Sequence, residues 1–334
     1  QFSPKNALIW TTWEVYYLLG DDKNNSFNTS FIQLFNSEII PEAIKNKDED
    51  CCISCFKSEI WNSILQSLLD KYPSEYIRKY YVLNNMKFKE TYSSWSEKVP
   101  PGLTIHQIDD DIFERYSDTE LCNDIKVHWE SINKFLKTGL GYCLATEKEI
   151  VTYCYSALAG KRSYSINIET KEKYFQKGYA TLVASAFIDK CLKNNIQPVW
   201  ECWDFNDISN KLAKKLCFEL SLNIPQYAIY PVEEIMLQNT AYYYHFYKKD
   251  HSRAIEFYDK AYDFSKKKKK DFLYISAELE ANSGNTKTAL DKLEEFVQTS
   301  TNLSVDTLVN NNNFKNIKNS MRWEKILQYL DKKM

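Results

Sequence analysis

Glycine is scarce in this chain, with 7 in 334 residues, where average proteins place it at about 7% of positions. A chain so sparing keeps glycine where no side chain can be accommodated. Four of the seven, Gly139, Gly141, Gly160 and Gly178, fall within residues 139–178, and that span becomes the place to look for function. Long apolar runs are missing too: none approaches the about 18 residues a membrane helix needs, which argues against a membrane partner. The first ten residues, QFSPKNALIW, lack the basic-then-apolar layout of a signal peptide, and without an initiator Met the residues before Gln1 stay open. An excess of either charge is absent as well. A net charge of −2 and a pI near 6.2 provide no general polyanion-binding surface, which argues against nucleic acid as a partner.

Nor is there a disulfide framework. The nine cysteines are odd in number and scattered, several of them inside apolar segments (Cys143, Cys154, Cys191, Cys202), as suits reduced thiols in a cytoplasm. Cys52 and Cys55 have CxxC spacing, but no second pair follows, so the expectation is no metal and the start of a surface helix. His106, His128, His245 and His251 show neither metal nor triad spacing. The dinucleotide pattern GxGxxG and the P-loop GxxxxGK[ST] are both absent, and nucleotide readings lose ground with them.

What is present describes a globular chain of two or three domains, with 44% hydrophobic and 26% charged residues. The 24 Tyr and 18 Phe must serve mostly in packing. Residues 1–99 read as a mostly helical lobe, since IWTTWEVYYLL and EIWNSILQSLLDKY carry apolar residues three and four apart. Pro100-Pro101-Gly102 breaks the chain, and GLTIHQID reads as a short strand. From Gly139 the period changes: GYCLA, IVTYCYSAL and YSINIET are three β-rich runs joined by TEKE and AGKR turns, an antiparallel meander. Ala180 to Asn194 is a helix with two adjoining apolar rows, Val183-Phe187-Cys191 and Ala184-Ile188-Leu192. QPVWECW is a further strand, Ile208, Leu212 and Leu216 mark another helix, and FELSL and YAIY close the unit as strands. The order is βββ-α-β-α-β.

Beyond Pro231 the chain turns helical, and Ala254-Tyr258-Ala261 is echoed 35 residues later by Ala289-Leu293-Phe296. This resembles tetratricopeptide repeats, and a helical hairpin cap is the other reading. Lys266 to Lys270 reads as a solvated helix end or a basic docking patch, and Asn310 to Asn313 as a low-complexity loop.

The sharpest signal is YFQKGYAT. A strand, a charged loop, a glycine and a helix start together make a seat for phosphate, because the first turn of a helix has unpaired N–H groups and a partial positive potential. Gly178 permits close backbone approach, Ala180 keeps the second contact small, Lys177 adds charge, and Thr181 supplies a hydroxyl.

The segment IETKEKYFQKGYATLVASAFIDKCL, followed by PVWECWDFNDISNKLAKKLCF, resembles the acetyl-CoA-binding core of the GNAT N-acetyltransferase superfamily. Within it, the branch related to zwittermicin A resistance acetyltransferases is the most similar. The resemblance covers residues 100–230, including VPPGLTIHQIDDDIF and FLKTGLGYCLA, and reaches more weakly into the N-terminal region, which in that branch forms a partner lobe. It implies an α/β (α+β) fold with a GNAT-like mixed central sheet and flanking helices. The division expected is a mostly helical lobe (1–99), an acetyl-CoA-binding domain (100–231) and an all-α, tetratricopeptide-like segment (232–334).

It also implies roles for residues. The pyrophosphate loop [QR]xxGx[GA] falls on Phe175, Gln176, Lys177, Gly178, Tyr179 and Ala180, with Phe175 in place of the leading Gln or Arg. Ile168, Glu169 and Thr170 form the strand edge that pairs with the pantetheine arm. Asn206 contacts that arm from the far side, and is also a good helix N-cap. Cys217 stands for the usual Gly of the LGF sequence. The usual thiolate acid, a Tyr, is Ala213 here, so Tyr227 or Tyr230 substitutes, and Glu169 is the expected base. The implied function is transfer of acetyl from acetyl-CoA to a primary amine of a small molecule or peptide, with a protein partner possible at the C-terminal helices. The alternative is a catalytically impaired GNAT-fold protein that binds acyl-CoA or acts as an interaction module.

Overall fold

The computed structural model describes residues 4–11, 15–46, 50–55, 58–68, 74–116, 119–300 and 303–333. The N-terminal region contains β1 (Asn6–Trp10), β2 (Val15–Gly20), α1 (Asn25–Leu34) and, after a π-helical turn, α2 (Ile40–Asn46). β3 (Cys51–Cys55), α3 (Glu59–Leu68), β4 (Glu75–Leu83) and α4 (Asn85–Tyr92) complete it. There follow β5 (Thr104–Gln107), α5 (Asp110–Tyr116), α6 (Thr119–His128) and α7 (Ile132–Thr138). The meander is β6 (Gly141–Ala145), β7 (Ile150–Ala159) and β8 (Ser163–Thr170), all antiparallel to their neighbours within it. Next come α8 (Tyr179–Lys193), β9 (Gln197–Trp203), α9 (Asp207–Lys215) and β10 (Phe218–Ile229).

These strands form one mixed sheet in the order β1-β2-β3-β10-β4-β9-β8-β7-β6-β5. The expected βββ-α-β-α-β succession is there, but β4 lies between β9 and β10 and pairs antiparallel with both. FELSL and YAIY are parts of the single long strand β10, with a register shift between Leu220 and Leu222. The N-terminal region has more helix than strand, yet its first apolar stretch is a hairpin, with Ile9 opposite Tyr17 and Trp10 opposite Tyr16. Residues 12–14 of that stretch, and 69–72 of the α3 stretch, lie outside the described residues. The helical expectation fails there because Trp10, Val15, Tyr16 and Tyr17 are aromatic or β-branched, and a short apolar run fits both periods. Cys51–Cys55 is likewise a buried strand and not a surface helix start. On a strand Cys52 and Cys55 point to opposite faces, which separates the thiols of the CxxC. Among the described residues no group of His, Cys, Asp and Glu could hold a metal ion.

The described chain divides into two compact units, one of Gln1–Asn24, Cys52–Asn62 and Glu75–Tyr227, the other of Asn25–Cys51, Ser63–Ser74 and Ala228–Met334. In the first, α8 fills one face of the sheet. Val183, Ala184, Phe187, Ile188 and Cys191, the rows expected from the sequence, pack on Leu144, Cys154, Ile166, Trp200 and Cys202. On the opposite face Ile112, Leu121, Ile125 and Phe135 cover Cys143, Tyr153 and Tyr155.

The second unit carries α10 (Glu233–Tyr242), α11 (His251–Phe264), α12 (Lys270–Asn282), α13 (Thr286–Thr299), α14 (Val305–Asn310) and α15 (Met321–Lys333). The echoed residues Ala254, Tyr258, Ala261, Ala289, Leu293 and Phe296 are all buried. Of the lysine run, Lys267 and Lys269 pair with Glu295 and Glu234, and Lys270 donates to the Thr299 carbonyl. In the asparagine run, Asn311 donates to the Tyr274 hydroxyl at 2.9 Å and its Oδ1 accepts from Asn313 N, so the segment is a capped turn.

Candidate functional site

β8 and β9 run parallel, but their pairing covers just three positions, Ser163, Ser165 and the residue between, opposite Gln197 to Val199. Past that point the strands part. The other edge of β8 stays paired with β7 to its end, with Ile168 opposite Cys154 and Thr170 opposite Thr152. The stretch from Ile166 to Thr170 therefore turns one edge of peptide groups toward an opening in the sheet, and such an edge pairs readily with an extended ligand. Being parallel, β8 and β9 end on the same side, so the chains leading to α8 and α9 begin at the mouth of this opening. Ligands of open α/β sheets bind at such strand ends.

α8 begins at Gly178, whose φ of +79° lies in the left-handed region that L side chains avoid. A Cβ built there would meet nothing within 4 Å, so conformation and not crowding demands glycine. Gly141 is the contrasting case, since a Cβ would come within 2.8 Å of Ile108 Cδ1. No side chain caps α8. Its first-turn N–H groups, at Tyr179 and Ala180, lie ahead of the helical bond that Thr181 N makes to the Gly178 carbonyl at 3.1 Å. Gln176 also has positive φ, at 62°, and Gln176, Lys177 and Gly178 are exposed. Thr181 is buried and sits within the core start of α8, away from the exposed loop. The loop is tied down from behind. Glu149 accepts from Lys173 Nζ at 2.6 Å and from the Tyr174 hydroxyl at 2.8 Å, bonds that hold its carboxyl below the usual range. Lys177 Nζ lies 5.2 Å from the Tyr174 ring centroid. Phe175, in the place of Gln or Arg, is 51% exposed.

Alternation along β8 sends Ile168 toward the α8 core and Glu169 to the other face. Thr170 Oγ1 is 2.8 Å from Thr152 Oγ1. Glu169 is an exposed residue, yet its carboxyl is raised above the ordinary range, first by partial desolvation and then by the negative charges of Asp124 and Glu120. A hydrogen bond from Thr170 N, at 3.2 Å, opposes the shift. Asp124 accepts from the Tyr153 hydroxyl at 2.8 Å, and the Tyr155 hydroxyl lies 2.8 Å from His128 Nδ1. On the same face of β9, Glu201 accepts from Ser165 Oγ at 2.9 Å and pairs with Arg78 Nε at 3.4 Å. Arg78 also lies 5.0 Å from the Trp203 ring centroid. None of Asp124, Arg78 or Glu201 was singled out by sequence reasoning, and His128 was set aside there for lack of metal or triad spacing. The alternation of Tyr76, Arg78 and Tyr80 in EYIRKYYVL was the available signal for β4.

The remaining candidates are dispersed. Asn206 caps α9, its Oδ1 accepting from Ser209 N at 3.0 Å, so the capping role is realised at the mouth of the opening. Tyr230 directly follows β10, which β4 and β9 separate from β8 in the sheet. Tyr227 is 1% exposed, and burial raises its hydroxyl pKa, so it is withdrawn from contact with a substrate. Ala213 is sealed in the core. Cys217 holds a positive φ of 67°, the conformation for which glycine is usual.

A family model described as GNAT acetyltransferase matches residues 1–230. The uncharacterized N-acetyltransferase YdfB of Bacillus subtilis is 29% identical over 230 residues, which is 69% of this chain and 82% of that protein. A GCN5-related N-acetyltransferase-like protein from Streptococcus suis shares the fold, with a TM-score of 0.51 at 18% identity, over 67% of this chain and 84% of that one.

Proposed function

Because the chain belongs to the GNAT acetyltransferase family, we propose that it moves an acetyl group from acetyl-CoA to a primary amine of a small molecule or peptide. The observation that carries this reading is the parting of β8 from β9 next to an uncapped helix start with open space over Gly178. The N–H groups of Gln176, Lys177, Gly178, Tyr179 and Ala180 would hold the pyrophosphate, with Lys177 adding charge. The edge at Ile168 and Thr170 would pair with the pantetheine arm, and the amide nitrogen of Asn206 would reach it from across the opening. Acetyl-CoA supplies an activated thioester. Glu169, with its raised pKa, is suited to take a proton from the attacking amine, since a base works best with a pKa near the working pH. Tyr230 is proposed as the proton donor to the thiolate on the family resemblance alone, since β4 and β9 separate β10 from β8. Thr181 would serve the loop by anchoring the start of α8.

The domain reading is proposed with it: 1–99 as a partner lobe of the zwittermicin A resistance type, 100–231 as the acetyl-CoA-binding domain, and 232–334 as a tetratricopeptide-like segment for a protein partner. A second reading, an acyl-CoA binder without catalysis, is favoured by one observation. Ala213, where the family places a tyrosine, is buried and has no proton to give. Melting with and without acetyl-CoA tests binding. At about 100 times Kd a ligand of the folded state adds about 2.7 kcal/mol, or roughly 5–10 °C at about 2–4 °C per kcal/mol. An unmoved melting temperature at millimolar acetyl-CoA would reject both readings. A shift without CoA release toward any amine would leave the second.

A further inference from the structure

The sheet face that carries Glu169 continues across β9 into a cleft of about 560 Å³, a volume typical of small-molecule sites. Leu18, Leu19, Leu158, Val199, Leu222 and Ile224 line it. Leu158 is 44% and Leu222 47% exposed, so the cleft leaves apolar surface open to water. The polar groups in its wall are mostly committed to one another. Ser165 donates to Glu201, Arg78 pairs with Glu201, and Tyr17 shares a hydrogen bond with Tyr80. Among the buried ones, Ser54 Oγ, in a residue only 1% exposed, has no hydrogen-bond partner among the described residues. The cleft thus offers its occupant mainly apolar surface, with few unpaired polar groups.

Its position relates it to the transfer site. Ser165, in the cleft wall, lies on the same face of β8 as Glu169 and four residues before it, roughly 13 Å along the strand. An extended amine with its nitrogen toward Glu169 would lay its body into the cleft. The acidic groups Glu169, Asp124 and Glu120 favour an ammonium at that end. We infer that the cleft binds the apolar body of the acceptor, so that the acceptor class is a primary amine on a medium-length aliphatic or aromatic group, and not a polyamine or amino sugar. Assigning the amine end rests on the transferase reading; the apolar preference rests on the cleft itself.

The test is calorimetric titration of the full chain with n-octylamine and with bis(3-aminopropyl)amine, a polar amine of similar length, each with and without acetyl-CoA. Octylamine should bind at least about tenfold more tightly, less than the burial of two methylenes at about fourfold each would allow for. Leu158→Gln changes an exposed rim position opposite Ser165 without adding charge, and should weaken octylamine several-fold while acetyl-CoA affinity stays put. Equal affinity for the two amines, or octylamine binding unmoved by Leu158→Gln, would overturn the inference. If acetyl-CoA fails to bind while the octylamine preference and its response to Leu158→Gln persist, the transferase reading falls and the apolar-amine cleft stands.

Discussion

Two faces of one strand pair differ sharply. Under α8, Ile166, Trp200 and Cys202 lie in a buried apolar cluster with Val183, Phe187 and Cys191. On the reverse, Asn167, Glu169, Glu201 and Trp203 stand on the same two strands, among Asp124, Arg78 and Tyr80. Consecutive residues are divided between the two: Ile168 from Glu169, Trp200 from Glu201. Strand alternation lets the same few residues anchor the sheet and present polar groups without either role compromising the other. The comparison implies that substitutions on the reverse face alter chemistry and spare stability, and those on the α8 face do the opposite.

The largest departure should come from Glu169→Gln. Losing the base should lower kcat/KM for amine acetylation by about 10² to 10⁴, read from CoA release, while the melting temperature stays unchanged. If stability falls and the rate survives, Glu169 belongs with the structural face. Phe187→Ala should do the reverse. Emptying a fully buried ring site should cost about 3–5 kcal/mol, seen as a lower urea midpoint, with acetyl-CoA affinity retained in the folded fraction.

Asp124→Asn sharpens the comparison through pH. Glu169 works as a base when deprotonated, so kcat/KM should fall as pH drops through its pKa. Asp124 helps to raise that pKa. Removing its charge lowers the pKa and moves the acid limb to lower pH, by less than about 1 unit for one charge near the surface. A limb that stays, or moves upward, argues that another group is the base. The smallest effect belongs to Cys217→Gly. Relief of a left-handed residue gains about 1–2 kcal/mol, against lost packing of a core thiol and about 0.5–1 kcal/mol of glycine entropy, so thermal stability should change by less than about 1 kcal/mol.

The legible parts of the fold were the local ones. The runs of β6, β7 and β8 are separated by polar turns, and α8 has two clean apolar rows, so their periods declared them. Gly178 stood out because glycine is rare and a helix start follows it. What stayed hidden depends on distant partners. Nothing near EYIRKYYVL says that β4 inserts between β9 and β10, because that choice is made by pairing with residues far along the chain. Arg78 and Glu201, 123 residues apart, become neighbours only through it. β1 and β2 misled for a different reason: a short aromatic-rich run offers apolar residues at helical and at strand spacing alike. Likewise Asp124 is one acidic residue among many until α6 packs over β7 and sets it beside Tyr153.

The central claim is that the loop at Gly178 and the opening between β8 and β9 hold acetyl-CoA. Calorimetric titration of acetyl-CoA into the wild-type chain and Gly178→Glu tests it most directly. The new side chain would force a left-handed backbone onto a non-glycine residue and place a carboxylate where phosphate is expected. The predicted result is saturable binding of one acetyl-CoA per wild-type chain and no detectable heat with a folded Gly178→Glu protein. Equal affinity in the two proteins would contradict the claim and place the cofactor elsewhere.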